Sequence, residues 1–267
     1  MGQSKVLKHR EPRLYVGGGL ALGGMIELEA GQAHYLRAVL RLGRGAAVAG
    51  FNAADGEWLC RISEVGRSRV WLTVERQLRV PEYEPDLWLL FAPIKRARLD
   101  WLVEKATELG ASALLPVWTA RTQCERLNLG RLRTHAVEAA EQSERLSVPE
   151  LHPPEALDRV LAAWPAGRPL VVCDESGAGE PIGAAATRFA AAPVALFIGP
   201  EGGFDRRSLT VWANSLLLLA SGSARGCCVR RPLRLRLWQS SKRSPVIGAA
   251  LVPFDRPCRY LWEFRRG

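Results

Sequence analysis

The segment 193–204, PVALFIGPEGGF, constrains the fold more than any other part of the chain. Its residues 194–198 are five consecutive apolar side chains. Because no polar residue alternates with them, they predict a strand that is buried on both faces, as in a parallel sheet. The strand runs directly into GPEGG at 199–203, whose glycines let a ligand approach the backbone closely. In an open α/β sheet, ligands bind beyond the carboxyl ends of such strands. The segment therefore predicts either a small-molecule site or an ordinary strand-to-helix turn.

Charge is distributed unevenly along the 267 residues. The formal net charge is +10, but residues 221–267 contain 11 Lys or Arg against 2 Asp or Glu and carry +9 of it. The first 220 residues hold 26 basic and 25 acidic groups, so only local clusters there can predict a nucleic-acid contact. Apolar runs are too short to span a membrane, and the polar start has no apolar stretch of a secretory signal. We therefore expect a cytoplasmic protein with no membrane partner.

The cysteines predict neither a metal site nor a disulfide framework. No two of them have C-x-x-C spacing, and the four histidines complete no ligand pattern with them. We interpret all six as free thiols in a reducing compartment. They are Cys60, Cys124, Cys173, Cys227, Cys228 and Cys258.

Residues 1–80 predict a small β-rich domain. Apolar residues at helical spacing indicate a helix within 32–42, and Asp55-Gly56 and Gly66 mark turns between strands. The domain carries several arginines, which suit a nucleic-acid backbone or form a solvated basic surface. Those taken as candidate RNA contacts are Arg13, Arg37 and Arg41. The predicted strands cover 13–16, 46–51, 57–64 and 69–75.

A linker at 80–85, VPEYEP, separates this domain from an α/β domain over 81–220. A strand at 86–92, a helix at 99–109 ending near Gly110, and a strand at 113–118 form a β-α-β unit, which favours a parallel sheet. The remaining elements make the pattern doubly wound. They are helices at 129–145 and 154–164 and strands at 169–174 and 194–198.

Five motifs occur in an order and spacing that resemble the RsmE family of 16S ribosomal RNA uridine-N3 methyltransferases, in the SPOUT superfamily. The resemblance covers residues 13–204. The motifs are HYLRAVLR at 34–41, KATELG at 105–110, Arg121 with Glu125-Arg126, EQSER at 141–145 with Val148-Pro149, and IGPEGGF at 198–204.

This resemblance implies an N-terminal PUA-like β-barrel that helps to hold RNA and a C-terminal α/β domain tied in a trefoil knot. It also implies S-adenosylmethionine (SAM) as cofactor, 16S ribosomal RNA of the small subunit as substrate, and a homodimer. Pattern reasoning from the residues alone could not have indicated the knot.

The resemblance also assigns candidate roles to residues. Glu201 or Glu141 would orient or deprotonate the uracil base, with Arg126 beside it. The cofactor would be held by Ile198, Gly199, Pro200, Glu201, Gly202 and Gly203. Arginines and lysines of the α/β domain would contact RNA phosphates or uracil oxygens, or would pair with Glu108, Glu125 or Glu138. These cations are Lys95, Arg98, Arg121, Arg126 and Arg145.

Residues 221–267 depart from the family. At this point the family continues with a second cofactor loop of the form Leu-Arg-x-Glu-Thr-Ala and a final helix, whereas this chain has an arginine-rich tail. The codons for residues 226–238 can also be read in the alternate frame, in which each triplet starts at the last base of one codon and takes the first two bases of the next. Codon degeneracy then permits the sequence Leu-Leu-Arg-Thr-Glu-Thr-Ala. We therefore hypothesise a one-nucleotide frameshift between about residues 205 and 226. With the tail as written the knot is incomplete.

Three functions follow from these observations. The first is SAM-dependent methylation of 16S ribosomal RNA, and the second is RNA binding by a protein that lacks a complete cofactor pocket. A dinucleotide-dependent oxidoreductase is disfavoured because the glycine motif lies late in the chain and is not G-x-G-x-x-G.

Overall fold

The computed structural model describes residues 11–66, 69–122, 124, 126–174, 180–182, 184, 187, 189, 192–200 and 217–221. The N-terminal part is a curled five-stranded sheet in the order β1-β3-β4-β5-β2. Only β1 and β3 are parallel, and the other pairs are antiparallel. Leu14, Leu36, Ile62 and Leu72 belong to its apolar core. The strands are β1 (Arg13–Tyr15), β2 (Met25–Glu27), β3 (Ala47–Asn52), β4 (Gly56–Val65) and β5 (Val70–Arg79).

The predicted helix within 32–42 forms in a shorter and less regular shape. Helix α1 (Ala30–His34) continues as a π-helical turn over Tyr35–Val39. Leu36 points into the core, whereas Tyr35 and Val39 stay exposed. The turn cannot continue through Arg41, because that residue adopts a left-handed backbone with φ 55°.

The second part is a parallel sheet, as the β-α-β pattern predicted. Its strands lie in the order β11-β13-β10-β12-β6-β7-β8, with β9 added beside β7. All pairs in this sheet are parallel, and β12 lies between β10 and β6. The strands are β6 (Leu87–Phe91), β7 (Ala113–Trp118), β8 (Glu150–Leu151), β9 (Glu155–Ala156), β10 (Leu170–Asp174), β11 (Glu180–Pro181), β12 (Val194–Ile198) and β13 (Leu217–Ser221). The helices are α2 (Arg96–Glu108), α3 (Leu129–Gln142) and α4 (Leu157–Ala162).

Side chains of β12 are buried on both faces of the sheet, which confirms the interpretation of the unbroken apolar run. Leu196 and Ile198 pack in the core that includes residues of α2 and α3. Ala195 and Phe197 pack in the opposite core, which includes Leu157 of α4. Helices on both faces are what a parallel sheet requires to remove its apolar strands from water.

Helices α2 and α3 run antiparallel to the strands, and this places their first turns at the carboxyl ends of the strands. Helix α2 ends before Gly110, which has φ 97°. Helix α3 begins after Asn128, whose Oδ1 accepts a hydrogen bond from the Arg131 backbone N at 3.0 Å. It ends at Gln142, three residues earlier than predicted, because Glu144 is left-handed with φ 58°.

Candidate active site

The strands β12, β6 and β7 lie side by side, so the loops that follow them meet at one edge of the sheet. We call this the carboxyl edge. At this edge, β12 is hydrogen-bonded to the residue that follows β6: the Ala92 backbone N donates to the Ile198 carbonyl oxygen at 3.0 Å. Beyond the strand, Gly199 is half-buried and Pro200 is buried. The glycine turn predicted from sequence therefore starts at the edge where open α/β sheets bind ligands.

Four cations follow β6 and β7 at this edge. Lys95 precedes the first turn of α2 and Arg98 lies within it, while Arg121 and Arg126 belong to the loop after β7. All four are exposed. Because the two loops follow adjacent strands, the four cations lie at the same edge of the sheet, and cations in such a position attract phosphate groups.

The surroundings of the turn's first residues are apolar. Phe91 ends β6 and is buried, as are Ala92 and Pro93 after it. Ile198 ends β12 and is buried, as is Pro200 after it. Buried apolar groups with backbone polar atoms nearby are the usual lining of a small-molecule site. The candidates Glu201, Gly202 and Gly203 lie outside the described residues.

Glu141 lies at the opposite end of the sheet. It is in the last turn of α3, and β8, which follows that helix, pairs with the first residues of β7. Its Oε1 accepts a hydrogen bond from the Tyr15 backbone N at 3.0 Å. Burial raises the pKa of its carboxyl group. The sequence predicted that Glu141 orients or deprotonates the uracil base. Within this chain its position disagrees with that prediction, because the length of α3 separates Glu141 from the carboxyl edge.

Arg13 and Arg145 are also far from the carboxyl edge, and their predicted RNA contacts need correction. The Arg13 side chain is 8% exposed and pairs with Glu57, with 2.6 Å between Nε and Oε1. The Arg145 side chain is 5% exposed and donates to the carbonyl oxygens of Thr107 and Ala111 at 2.6 and 3.1 Å. Buried guanidinium groups with these partners cannot reach an RNA phosphate.

Comparison with known proteins agrees with the fold and the motifs. Residues 81–215 match the RNA methyltransferase domain family, and residues 28–75 match the RNA methyltransferase PUA domain. The ribosomal RNA small subunit methyltransferase E of Rickettsia conorii is 30% identical over 204 residues, which cover 76% of this chain and 83% of that protein. This chain belongs to the ribosomal RNA small subunit methyltransferase E family.

Two solved structures share the fold. One is the methyltransferase E of Neisseria gonorrhoeae bound to SAM, with a TM-score of 0.73 and 20% identity, covering 86% of this chain and 95% of that one. The other is a Legionella pneumophila protein in complex with bound SAM, with a TM-score of 0.73 and 24% identity. It covers 87% of this chain and 96% of that one.

In this family member the PUA domain presents its own basic surface. Arg37 lies in the π-helical turn and Arg41 follows it; both are exposed, and their contact with RNA stays a prediction. Sequence reasoning missed Tyr35, which is 40% exposed next to them. Exposed aromatic rings beside arginines are suited to stacking on unpaired bases. Its place in the HYLRAVLR motif, one residue before buried Leu36, was the available signal.

The residues that the structure describes include neither a metal-binding cluster nor a membrane-spanning helix. Among them, no group of three or more His, Cys, Asp or Glu side chains is placed to hold a metal ion. In the same part of the chain, no helix is long and apolar enough to cross a membrane.

Proposed function

We propose that this chain catalyses SAM-dependent methylation of N3 of a uridine in 16S ribosomal RNA of the small ribosomal subunit, as a cytoplasmic homodimer. The observation that carries the proposal is the carboxyl edge. There, the apolar start of the 199–203 turn and four exposed cations occupy the same edge of the sheet, in a member of this methyltransferase family. Apolar and basic surfaces side by side suit a nucleoside cofactor and an RNA strand respectively.

The residues then have separate roles. SAM supplies a methyl group that its sulfonium already activates, so the protein mainly has to align the methyl donor with the base. Uridine N3 carries a proton that must leave, and positive charge near the uracil oxygens favours the resulting anion. Lys95 and Arg126 are our candidates for that charge. Glu201, which follows Pro200 directly, remains our candidate for the group that orients the base or takes the proton.

A methyl-transfer assay tests this function. Small subunits isolated without the modification are incubated with tritiated SAM and the protein, in its written form and with residues after Ser221 returned to the family's reading frame. We expect label in 16S ribosomal RNA from the frame-restored chain, and less label after Lys95→Ala or Arg126→Ala. Absence of label with the frame-restored chain would refute the function.

A second candidate function rests on the tail. The family match ends at residue 215, and β13 completes its pairing with β10 at Ser221. Both observations support a position late in the interval of about 205 to 226 for the hypothesised frameshift. The chain as written then lacks the second cofactor loop and acts as an RNA-binding protein with an incomplete cofactor pocket.

Calorimetry and gene sequencing separate the two functions. We expect the chain as written to bind SAM weakly or not at all, and the frame-restored chain to bind it. Micromolar affinity for the chain as written would contradict the second function. Codons for 226–238 that cannot encode Arg-Thr-Glu-Thr in the alternate frame would contradict the frameshift.

A further inference from the structure

The EQSER motif at 141–145 lies away from the carboxyl edge, yet among the described residues it takes part in several hydrogen bonds between the two domains. We call the contact region the interdomain joint. It comprises Arg13, Tyr15, Phe51, Glu57 and Arg79 of the N-terminal domain and residues 140–148 of the α/β domain.

Arg13 is the centre of the joint. Its Nη1 donates to the carbonyl oxygens of Ala140 and Glu141 at 3.0 and 2.7 Å, and its Nη2 donates to that of Arg145 at 2.9 Å. The last carbonyl groups of a helix have no partner within the helix, and a cation there also interacts favourably with the helix dipole. Arg13 thus caps α3 from the other domain.

The N-terminal domain holds Arg13 in place from behind. Glu57 is almost fully buried and pairs with its Nε, and the Phe51 ring lies 4.2 Å from the guanidinium carbon. Phe51 in turn packs with Ala140 and Leu146 in a small apolar cluster that bridges the domains. Arg79 adds a hydrogen bond to the Glu144 carbonyl oxygen at 2.8 Å.

Arg145 extends the joint into the α/β domain. Besides the carbonyl oxygens at the end of α2, its Nη2 donates to Ser147 Oγ at 2.5 Å and pairs with Glu84 of the linker. Ser147 Oγ donates to the same Glu84 carboxylate at 2.6 Å. Through Arg145 and Ser147, the linker is therefore held against both α2 and the segment after α3. The contact between the domains combines buried hydrogen bonds of Arg13 with the apolar packing of Phe51.

We propose that the interdomain joint positions the two domains for RNA binding. Arg13, Glu57 and the EQSER motif fix the PUA domain relative to the carboxyl edge of the α/β domain, so that the two move as one rigid body. This inference rests on the proposed ribosomal RNA substrate. Arg37 and Arg41 lie on one domain, and Lys95 and Arg126 on the other. When the domains are fixed, both surfaces meet the RNA without a further ordering cost, which is the advantage of preorganisation.

The joint has a direct reporter in the Tyr15 backbone N–H, whose hydrogen bond goes to Glu141 of the other domain. Amide exchange at Tyr15 in the full chain therefore follows opening of the joint. The test variants are Arg13→Met, and Arg13→Lys, which keeps the charge but loses the planar fork. Binding of purified small subunits is measured for the same proteins, and binding of SAM is measured for the same variants made in the frame-restored chain.

Arg168 provides a matched control. Its side chain is 11% exposed, pairs with Asp86 and lies 3.8 Å from the Trp88 ring, so it resembles Arg13 in burial, charge partner and aromatic contact. These contacts are all within the α/β domain. Arg168→Met should destabilise the fold without opening the joint.

We expect Arg13→Met to accelerate Tyr15 exchange and to weaken small-subunit binding by about 10-fold or more, with SAM binding unchanged. Arg13→Lys should lie between Arg13→Met and the parent chain, and Arg168→Met should change neither quantity by more than about twofold. Faster Tyr15 exchange with unchanged small-subunit affinity would overturn the inference, as would unchanged exchange in Arg13→Met.

If Arg13→Met does not fold, Arg13→Lys and Glu57→Gln give the same comparison with smaller changes. These readouts need no turnover. A chain that binds small subunits through a closed joint but never transfers a methyl group contradicts the proposed function and leaves this inference standing.

Discussion

Replacing Arg145 should lower the free energy of unfolding without changing the exposed cations of the carboxyl edge. In Arg145→Met, the guanidinium loses hydrogen bonds to the carbonyl oxygens of Thr107 and Ala111 and to Ser147, and Glu84 loses its ion pair. Breaking a buried ion pair by removing one partner costs about 3 to 5 kcal/mol.

Two details place the expected loss at the lower end of that range. The Glu84 side chain is 27% exposed and keeps its hydrogen bond from Ser147, so water and Ser147 can still solvate its charge. The buried Arg145 Nε has no partner among the described residues, so its removal recovers part of the loss. We therefore expect a fall of about 3 kcal/mol in the free energy of unfolding. For a domain of this size, that lowers Tm by about 6 to 12 °C.

Urea unfolding followed by tryptophan fluorescence measures this loss, and Arg126→Met is the control. Arg126 is exposed at the carboxyl edge, so its replacement should change unfolding by less than about 0.5 kcal/mol. It should weaken RNA binding, because it removes one of the exposed cations at the carboxyl edge. If Arg145→Met instead kept its stability and lost RNA affinity, the structural role argued for Arg145 would be refuted.

Two further predictions concern Glu141 and Arg41. In the frame-restored chain, Glu141→Gln should keep kcat within about twofold, because Glu141 lies away from the carboxyl edge; a loss of 100-fold or more would instead support Glu141 as the base. Burial raises the pKa of Glu141 in the folded protein, so its stabilising contribution is complete below its unfolded pKa and is lost as the pH rises through the folded one. Urea unfolding between about pH 4 and pH 7 should therefore show the parent chain losing stability relative to Glu141→Gln, and a pH-independent difference would contradict this. Arg41→Gly should leave unfolding unchanged or raise its free energy by up to about 1 kcal/mol, because glycine accepts the left-handed backbone, while RNA binding weakens. Thermal unfolding and filter binding, with Arg41→Lys as control, check both effects, and a gain in RNA affinity would contradict the assignment.

The long elements of the fold could be predicted because each has a clear period or an unbroken apolar run. Strand β12 and helix α2 are examples, with bounds that differ from the predicted ones by at most a few residues. The short strands β2, β8 and β9, of two or three residues each, could not be predicted. They are shorter than any periodic pattern and form through pairing with distant neighbours.

The candidate site divides in the same way. The cations at the carboxyl edge follow from chain order, since residues after parallel neighbouring strands must meet at one edge. Arg13, Glu141 and Arg145 could not be placed, because a motif shows which residues matter but not whether they contact a ligand or another domain. The contacts that fix their positions join distant parts of the chain: Glu57 is 44 residues away from Arg13, and Tyr15 is 126 residues away from Glu141.

Nucleoside analysis of the reaction product tests the central claim most directly. Small subunits treated with SAM and the frame-restored chain are digested to nucleosides, and methylated uridines are separated by chromatography and identified by mass spectrometry. We predict 3-methyluridine in 16S ribosomal RNA, formed only when SAM and the protein are both present. A methyl group on the ribose oxygen or on C5 of uracil, or no methylated uridine at all, would contradict it.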